Sequence, residues 1–545
     1  MSESSRRAME FGKLNYLIID DFENFRLSMR QMLRSCGADR IEQAGTAAQA
    51  IRHCTYNHVD VVLCDYNLGE GRNGQHVLEE LRHRKLLKRA SLFLMVTAET
   101  SKQMVMGARE NQPDGYLTKP INRAMLDQRL GALIEQRNAL YPINRELDRE
   151  NYPEAISLCL QALPKHPRYR TWLLKTLGDL YFQLGDLSHA ARVFDDALKQ
   201  RELSWARLGR SKVMLANRNY EDAVASLSQL IARHPDYMEA YDLLAEGLQR
   251  QGKLVDAQHT LEQAALHSPN ALLRQRQLAQ LAEANQDLEA ACEAWRKTVT
   301  LGTHSIHDSA DHYLALAQSL TDLSEGDAEE AGAERADEAL NLLKQMGKRF
   351  PEQPELDLRS RLIQCRVLAG RGKASDANRL LDQIREDGGD GQSLTADTAL
   401  DYGKTLFRLG HAGEAKTLLA ELAERFASDN EVLNRIEALL DEPVGFRQKL
   451  QARTLNRDGI KAFESGDLSA AVEAFSQALE IVPDHAALNL NLVQVLMKQR
   501  HSEADSSALL DRCQRCLDRL AGLPEQHRQH RRYLALRRKL EELTP

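Results

Sequence analysis

The chain has 545 residues, 43% of them hydrophobic and 28% charged, with 72 basic side chains against 79 acidic ones. At roughly 150 residues per domain that is room for three or four units, or for one domain followed by an extended array. A net charge of -7 and a pI near 6.2 offer no global field to polyanions, which disfavours wholesale coating of DNA or RNA.

Residues 1-10 are polar and read as a flexible N-terminus without the apolar core of a secretory signal. No run of eighteen apolar residues occurs, so the expectation is a cytoplasmic protein with no membrane partner. The eight cysteines are too thinly spread for a disulfide scaffold and read as reduced, small core residues.

Residues 11-140 alternate short apolar runs with amphipathic stretches. Tyr16-Leu17-Ile18-Ile19, Val59 to Cys64 and Ser91 to Val96 are apolar but for Asp60 and Ser91, too continuously so for one-sided strands, which suits strands buried on both faces of a parallel sheet. Phe25 to Cys36 and Gly74 to Lys85 carry helical periodicity between them. This pattern predicts an α/β doubly wound parallel five-stranded domain.

After Tyr141-Pro142 the strands vanish and an all-α pattern sets in. Ala190, Ala223, Ala257 and Ala291 are spaced 33, 34 and 34 residues apart, and four residues after each stand Phe194, Leu227, Leu261 and Trp295. Leu174, Leu177, Gly178, Tyr181, Ala190, Phe194 and Ala197 set out one unit in which small residues let paired helices approach and large ones fill the space to the next. Further units are expected around Ala155, Ala377 and Ala415, and a late one with Gly459, Ala471, Phe475, Ala478 and Pro483. Pro167, Pro235, Pro269 and Pro483 mark helix ends. The acidic Thr321 to Asp337 reads as a long loop, Asp387 to Gly391 as a flexible link and Leu440 to Gln451 as a hinge. The domain boundaries expected are 11-140, helical repeats over 141-440, further repeats over 441-500 and capping helices over 501-545.

The residues that carry chemistry are acidic and sit at strand ends. Asp20 and Asp21 follow the first strand and Asp65 follows the third, which brings them to the carboxyl edge of the sheet. Three converging carboxylates repel one another and call for a cation, and oxygen-only ligands suit a hard ion such as Mg²⁺. Thr97 ends the next apolar run, and Lys119 precedes Pro120 after a short strand, where the proline favours an extended chain. A metal, a carboxylate, a hydroxyl and an ammonium together can receive and hold a phosphoryl group.

On these residues the segment 11-140 resembles the receiver domain of bacterial two-component response regulators: the Asp20-Asp21 pair, Asp65 placed 44 residues after Asp21, Thr97 before a small residue, and Lys119-Pro120. The later region resembles a tetratricopeptide array. The first resemblance implies that Asp65 is the phosphoacceptor, that Asp20, Asp21, Asp65 and the backbone carbonyl of Asn67 hold Mg²⁺, and that Thr97 and Lys119 bind the phosphoryl oxygens. It makes Thr97 and Tyr116 the switch pair, and Asn67 and Glu99 the positions that tune dephosphorylation. A histidine kinase is the implied donor. The surface expected to change shape comprises the helical segments near Lys102 to Glu110 and Asn122 to Arg137 and the strand between them. The loop from Tyr66 to Gly74 departs from the family in lacking its usual proline and in being longer.

Two other features carry weaker signals. Cys513 and Cys516 with His527 and His530 have spacings short of a zinc finger, and the cysteines also fit the apolar stripe of Leu509, Leu510, Leu517 and Leu520. The basic cluster Arg528, Arg531, Arg532, Arg537, Arg538 and Lys539 reads first as the solvated face of a capping helix. No Walker lysine loop, His-Glu-x-x-His motif, nucleophile elbow or short helix-turn-helix unit occurs.

The chain is therefore expected to be no enzyme beyond its own phosphotransfer and dephosphorylation. Its array of about eight helical pairs would act by binding a protein on a concave face. Only Pro142 is expected to separate the last receiver helix from the first repeat, so a shift of that helix would reach the array, or the same face would form a homodimer. The alternatives are a phosphate sink that modulates a kinase, with the array as tether, and RNA binding through the basic tail.

Overall fold

The computed structural model describes residues 9-69, 71-98, 113-325, 330-351, 353-387, 394-444, 446-499, 506-523, 527 and 529-543. They divide into two compact units, 1-312 and 313-545. Among the described residues no helix is long and apolar enough to cross a membrane.

The first unit opens with five parallel strands, β1 (Asn15–Ile19), β2 (Arg40–Ala44), β3 (Val61–Asp65), β4 (Leu92–Thr97) and β5 (Gly115–Thr118), in the order β2-β1-β3-β4-β5. Side chains alternate across this sheet because the strand period is two. Ile18, Leu63 and Leu94 join one core with Met29 and Leu33 of α1 (Glu23–Ser35) and Leu126 and Leu130 of α4 (Arg123–Asp148). Leu17, Val62 and Phe93 join the other with Ile51 of α2 (Ala47–Tyr56) and Leu78 and Leu81 of α3 (Gly74–His83). Both faces are covered, which is why the central strands read as unbroken apolar runs. Edge strand β2 buries only Ile41 and Ala44, and its polar Arg-Ile-Glu-Gln-Ala stretch gives no such signal.

Pro142 does not end the last receiver helix. The 26-residue α4 runs through it to Asp148. An internal proline forfeits one helical hydrogen bond and costs about 3 kcal/mol. The flanking Leu140 and Ile143 are buried in a core with Cys159, Leu173 and Leu177, and each such burial contributes about 1.5–3 kcal/mol, which offsets the loss. One rod thus belongs to two cores. Between them Arg137 is 9% exposed and donates through Nη2 to Asp60 Oδ1 at 2.5 Å and through Nε to the Ala90 carbonyl at 2.6 Å. Close by, Lys85 pairs with Glu150 at 2.7 Å, and the backbone N–H of Arg89 donates to Asp148 at 2.8 Å.

Antiparallel-period helices follow: α5 (Tyr152–Lys165), α6 (Arg170–Gln183), α7 (Leu187–Gln200), α8 (Ser204–Ala216), α9 (Tyr220–Arg233), α10 (Met238–Arg250), α11 (Leu254–His267), α12 (Leu272–Ala284) and α13 (Leu288–Gly302). Ala190, Ala223, Ala257 and Ala291 are all 0% exposed, and Phe194, Leu227, Leu261 and Trp295 are buried beside them. The glycines explain the alternation of small and large. A Cβ on Gly178 or Gly209 would stand 2.5 or 2.4 Å from the Phe194 ring, so the ring occupies the space that those side chains lack. In α6 it is Leu173, not Leu174, that is fully buried. Pro235 and Pro269 lie between helices, as their lack of an N–H requires.

The second unit holds α14 (Ala310–Ser324) from residue 313 onward, α15 (Glu330–Arg349), α16 (Pro354–Gly370), α17 (Ala374–Glu386), α18 (Ala396–Arg408), α19 (Ala412–Arg425), α20 (Asn430–Asp441), α21 (Phe446–Ser465), α22 (Leu468–Ile481), α23 (Ala486–Gln499), α24 (Ser506–Arg519) and α25 (His530–Leu543). Of the stretch 321-337, read from its acidity as a loop, residues 321-324 end α14 and 330-337 begin α15, while 326-329 lie outside the described residues. Its alanines and glutamates are strong helix formers, and its first-turn Glu330 complements the helix dipole. The link 388-391 lies outside the described residues.

In the segment 440-451, of which residue 445 lies outside the described residues, Glu442 forms a charged corner. Glu442 is 5% exposed and accepts from Nε and Nη2 of Arg453 at 2.9 and 2.7 Å, with Lys449 and His485 within 3.8 Å. The repeat reading holds beyond it: Ala471, Phe475 and Ala478 are buried, and a Cβ on Gly459 would meet the Phe475 ring at 2.7 Å.

Candidate functional site

The chain leaves β1 toward β2 on one side of the sheet and reaches β4 and β5 on the other, so β1 and β3 flank the point where the strand order reverses. Ligand sites of open α/β sheets form at the carboxyl ends there. Ile19 pairs in register with Cys64, which sets Asp20 beside Asp65 one step beyond. Asp20 is 0% and Asp65 6% exposed, while Asp21 is open to solvent. Carboxylate oxygens of all three lie within 4.8 Å of one another.

Lys119 is brought to the same edge from β5, with its backbone N–H donating to the Thr97 carbonyl at 2.8 Å and a cis peptide joining it to Pro120. Its Nζ donates to Asp20 Oδ2 and Asp65 Oδ2, both at 2.9 Å, and lies 4.1 Å from the centroid of the Phe25 ring. Phe25 and Arg26 of α1 are parts that the sequence pattern did not mark. Arg26 fixes the turn that carries the acidic pair by donating to the carbonyls of Asp20 and Asp21 at 2.7 and 3.1 Å. The Phe22 N–H holds Asp20 Oδ1 at 2.8 Å.

Burial pushes the Asp65 carboxyl upward, with the Asp20 charge adding to it and the hydrogen bond from Lys119 pulling it back. Burial alone would lower the Lys119 ammonium, yet its bonds to Asp65 and Asp20 raise it overall. One ammonium facing three carboxylates leaves an excess of negative charge at a point with oxygen donors only. That donor set fits a hard divalent cation.

Thr97 ends β4, paired in register with Thr118, and is half-buried at this edge. Tyr116 is half-buried against the core that contains Phe93 and Met95. Asn67 Oδ1 accepts the Gly69 N–H at 3.2 Å and shapes the loop after Asp65. In place of a proline that loop has Gly69 and Gly71 at φ of +81° and +101°, a region costly for any residue with a Cβ. It ends against Asp65, since a Cβ on Gly74 would stand 2.2 Å from the Asp65 carbonyl oxygen. Glu99 and the segment 102-110 lie outside the described residues.

The cysteine-histidine constellation is not assembled as a metal centre among the described residues. Cys513 and Cys516 are buried with Leu517 and Leu520, and burial pushes the Cys513 thiol up to about 12. His530 Nδ1 lies 3.0 Å from the Leu523 carbonyl instead. In the tail, Tyr533 and Leu540 pack inward, Arg532 donates to Asn491 and Gln494, and Arg531, Arg538 and Lys539 face solvent, as on a capping helix.

A doubly wound sheet whose switch point carries an acidic triad answered by a lysine from β5 defines the receiver class of signalling domain. The family model for the response regulator receiver domain matches residues 16-131, and tetratricopeptide repeat models match residues 208-271 and 462-540. The chain carries a CheY-like receiver domain at its N-terminus, followed by tetratricopeptide repeats. Chemotaxis protein CheY-3 of Vibrio cholerae serotype O1 is 28% identical over 123 residues, which are 23% of this chain and 93% of that protein. Chemotaxis protein CheY of Pseudomonas aeruginosa is 27% identical over 125 residues, 23% of this chain and 99% of that one. The solved structure of Vibrio cholerae CheY4 is 23% identical and covers 22% of this chain and 98% of its own, with a TM-score of 0.21.

Proposed function

We propose that the protein is a response regulator of a two-component phosphorelay, phosphorylated on Asp65 by a histidine kinase and acting through protein contacts of its repeats rather than through DNA. The observation that carries this reading is the Lys119 ammonium held 2.9 Å from both Asp20 and Asp65 beside the acidic cluster.

Asp20, Asp21 and Asp65, with the carbonyl of Asn67, would hold Mg²⁺. When bound, the ion supplies Lewis-acid neutralisation of phosphoryl oxygens. An Asp65 carboxylate oxygen attacks the phosphorus in line, the bond from phosphorus to the donor imidazole nitrogen breaks, and its electron pair stays on the imidazole, which takes a proton from solvent. Lys119 is placed to offset the charge that gathers on the equatorial oxygens, and the Thr97 hydroxyl to bind one of them in the acyl phosphate. The added one to two negative charges, roughly, then draw Thr97 inward and free space for the Tyr116 ring. The continuous α4 gives that change a stiff route into the first repeat core.

The test is transfer of radiolabel from a small-molecule phosphodonor in the presence of Mg²⁺. Acid-labile, base-sensitive label on the wild type and none on Asp65→Asn is the expected result; equal labelling of the two, or none on either, sinks the reading.

A further inference from the structure

The receiver touches the repeats at a second place, far along the chain from α4. The loop between α13 and α14 reaches α3, where the Ser305 hydroxyl donates to Glu79 at 2.8 Å. The His304 ring meets His76 edge-on, with centroids 6.2 Å apart, and a Cβ on Gly71 would stand 3.9 Å from His304. Ser305 is preset for this contact. Its N–H bonds the Gly302 carbonyl at 2.9 Å and its hydroxyl oxygen accepts the His307 N–H at 3.1 Å. A cleft of about 950 Å³ runs alongside, walled by Tyr66, His76 and Glu79 on one side and by Lys175, Arg274 and His304 on the other.

What this loop touches is mechanically close to Asp65. His76 belongs to the first turn of α3, where Asn73 Oδ1 accepts the His76 N–H and His76 Nδ1 accepts the Asn73 N–H, both at 3.1 Å. That turn starts at Gly74, which has no free space against the Asp65 carbonyl. On its other flank the loop lies against the acidic cluster, with the Cβ position of Gly69 3.5 Å from Asp21 Oδ2. A displacement of Asp65 is passed to the first turn of α3 through the Gly74 contact, which has no room for even a methyl group.

We propose that Gly302 to Ser309 is a latch: it docks the array onto α3 and Gly71 while Asp65 is unmodified, and lets go when Asp65 carries a phosphoryl group. The sign follows from bulk and charge. A phosphoryl dianion on Asp65 adds both beside Asp21 and beside the Gly74 turn, whose N–H groups at Asn73, Gly74 and His76 are already bonded to His76, Tyr66 and Asn73. Displacing that turn moves His76 off His304. The inference rests on Asp65 as acceptor, and it names how that site is regulated. Thermodynamic linkage makes the coupling reciprocal, so opening the latch must tighten binding of a phosphoryl group by the factor that the phosphoryl group opens the latch.

The experiment uses the full chain, its His304→Ala/Ser305→Ala variant, and Glu79→Ala, which breaks the same contact from the receiver side. Hydrogen exchange of residues 71-83 reports the latch directly, and titration with beryllofluoride and Mg²⁺ reports the coupling. Faster exchange in both variants, with beryllofluoride affinity raised about fivefold or more, is expected. Exchange identical to wild type, or affinity unchanged or weakened, overturns the latch. A wild type that takes up no beryllofluoride overturns the acceptor reading and the coupling with it, while exchange at 71-83 that responds to the variants would leave the contact itself standing.

Discussion

Lys119 holds together two carboxylates that would otherwise repel. Removing its ammonium leaves Asp20 and Asp65 side by side in a buried site and, on the proposed phosphotransfer, takes away the charge that would offset the phosphoryl group. Lys119→Ala is expected to slow labelling of Asp65 by about 10²-fold, measured from initial rates at saturating donor. Gly74 is as restrictive in its own way. Gly74→Ala drives a methyl into the Asp65 carbonyl and is expected to destabilise the receiver by about 1–3 kcal/mol in urea melts, because neither backbone can yield. The acidic residues and Lys119 were legible in the sequence because strand ends can be counted from apolar runs. Phe25, Arg26 and Gly74 were not, since their roles depend on which turn lies under which ammonium or carbonyl, and no spacing encodes that.

At the scale of elements, the 33- and 34-residue rhythm was legible for a simple reason. Helices that must pack closely need a small residue opposite a large one, and that pair recurs wherever the packing does. Gly178→Val is therefore expected to expel the Phe194 ring and lower the melting temperature more than Gly185→Asn does, since Gly185 sits at a positive φ with nothing near its Cβ position. Phe194→Ala is expected to cost about 3–5 kcal/mol by circular dichroism melts, as the space between two glycines cannot collapse.

The corner at Glu442 went unread because one acidic residue between helices looks like any loop. Burial alone would raise its carboxyl, but Arg453, Lys449 and His485 hold it below the usual range. A depressed carboxylate contributes stability that is complete above its unfolded pKa, about 4.3, and is lost as pH falls through the lower folded value. Glu442→Gln is expected to lose about 3 kcal/mol at neutral pH and to show a shallower acid limb than wild type in urea melts between pH 5 and 3. Pro142 and the acidic stretch 321-337 misled in the same way: local residue chemistry pointed to a break, and burial of Leu140 and Ile143, or the helix-forming alanines, decided otherwise.

For the molecule as a whole, the receiver and the repeats within the first unit are joined, among the described residues, at two places of different character, α4 and the loop at 302-309. Chelation with EDTA is expected to abolish labelling of Asp65 while far-UV circular dichroism stays unchanged, because the helical cores owe nothing to the acidic cluster. Full helicity with full labelling in EDTA would remove the metal from the scheme. Neither junction could be foreseen in full. The sequence placed α4 against the array but broke it at a proline, and the contact of Ser305 with Glu79 spans 226 positions that no periodicity connects.

The unbroken α4 sets a condition on anyone who would dissect this protein. It is about 39 Å of rod at 1.5 Å per residue, and residue 131, where the family match stops, falls in its first half. A piece cut there gives up Ile134 and Arg137, so Asp60 loses its guanidinium and keeps only the Asn15 N–H and His58, and the remainder starts with half a rod whose inward stripe has lost its bed. Excision at the seam suggested by homology should yield two sticky fragments, and a cut after Glu150 keeps Arg137 on Asp60 but leaves Leu140 and Ile143 on one piece and their partners Cys159, Leu173 and Leu177 on the other.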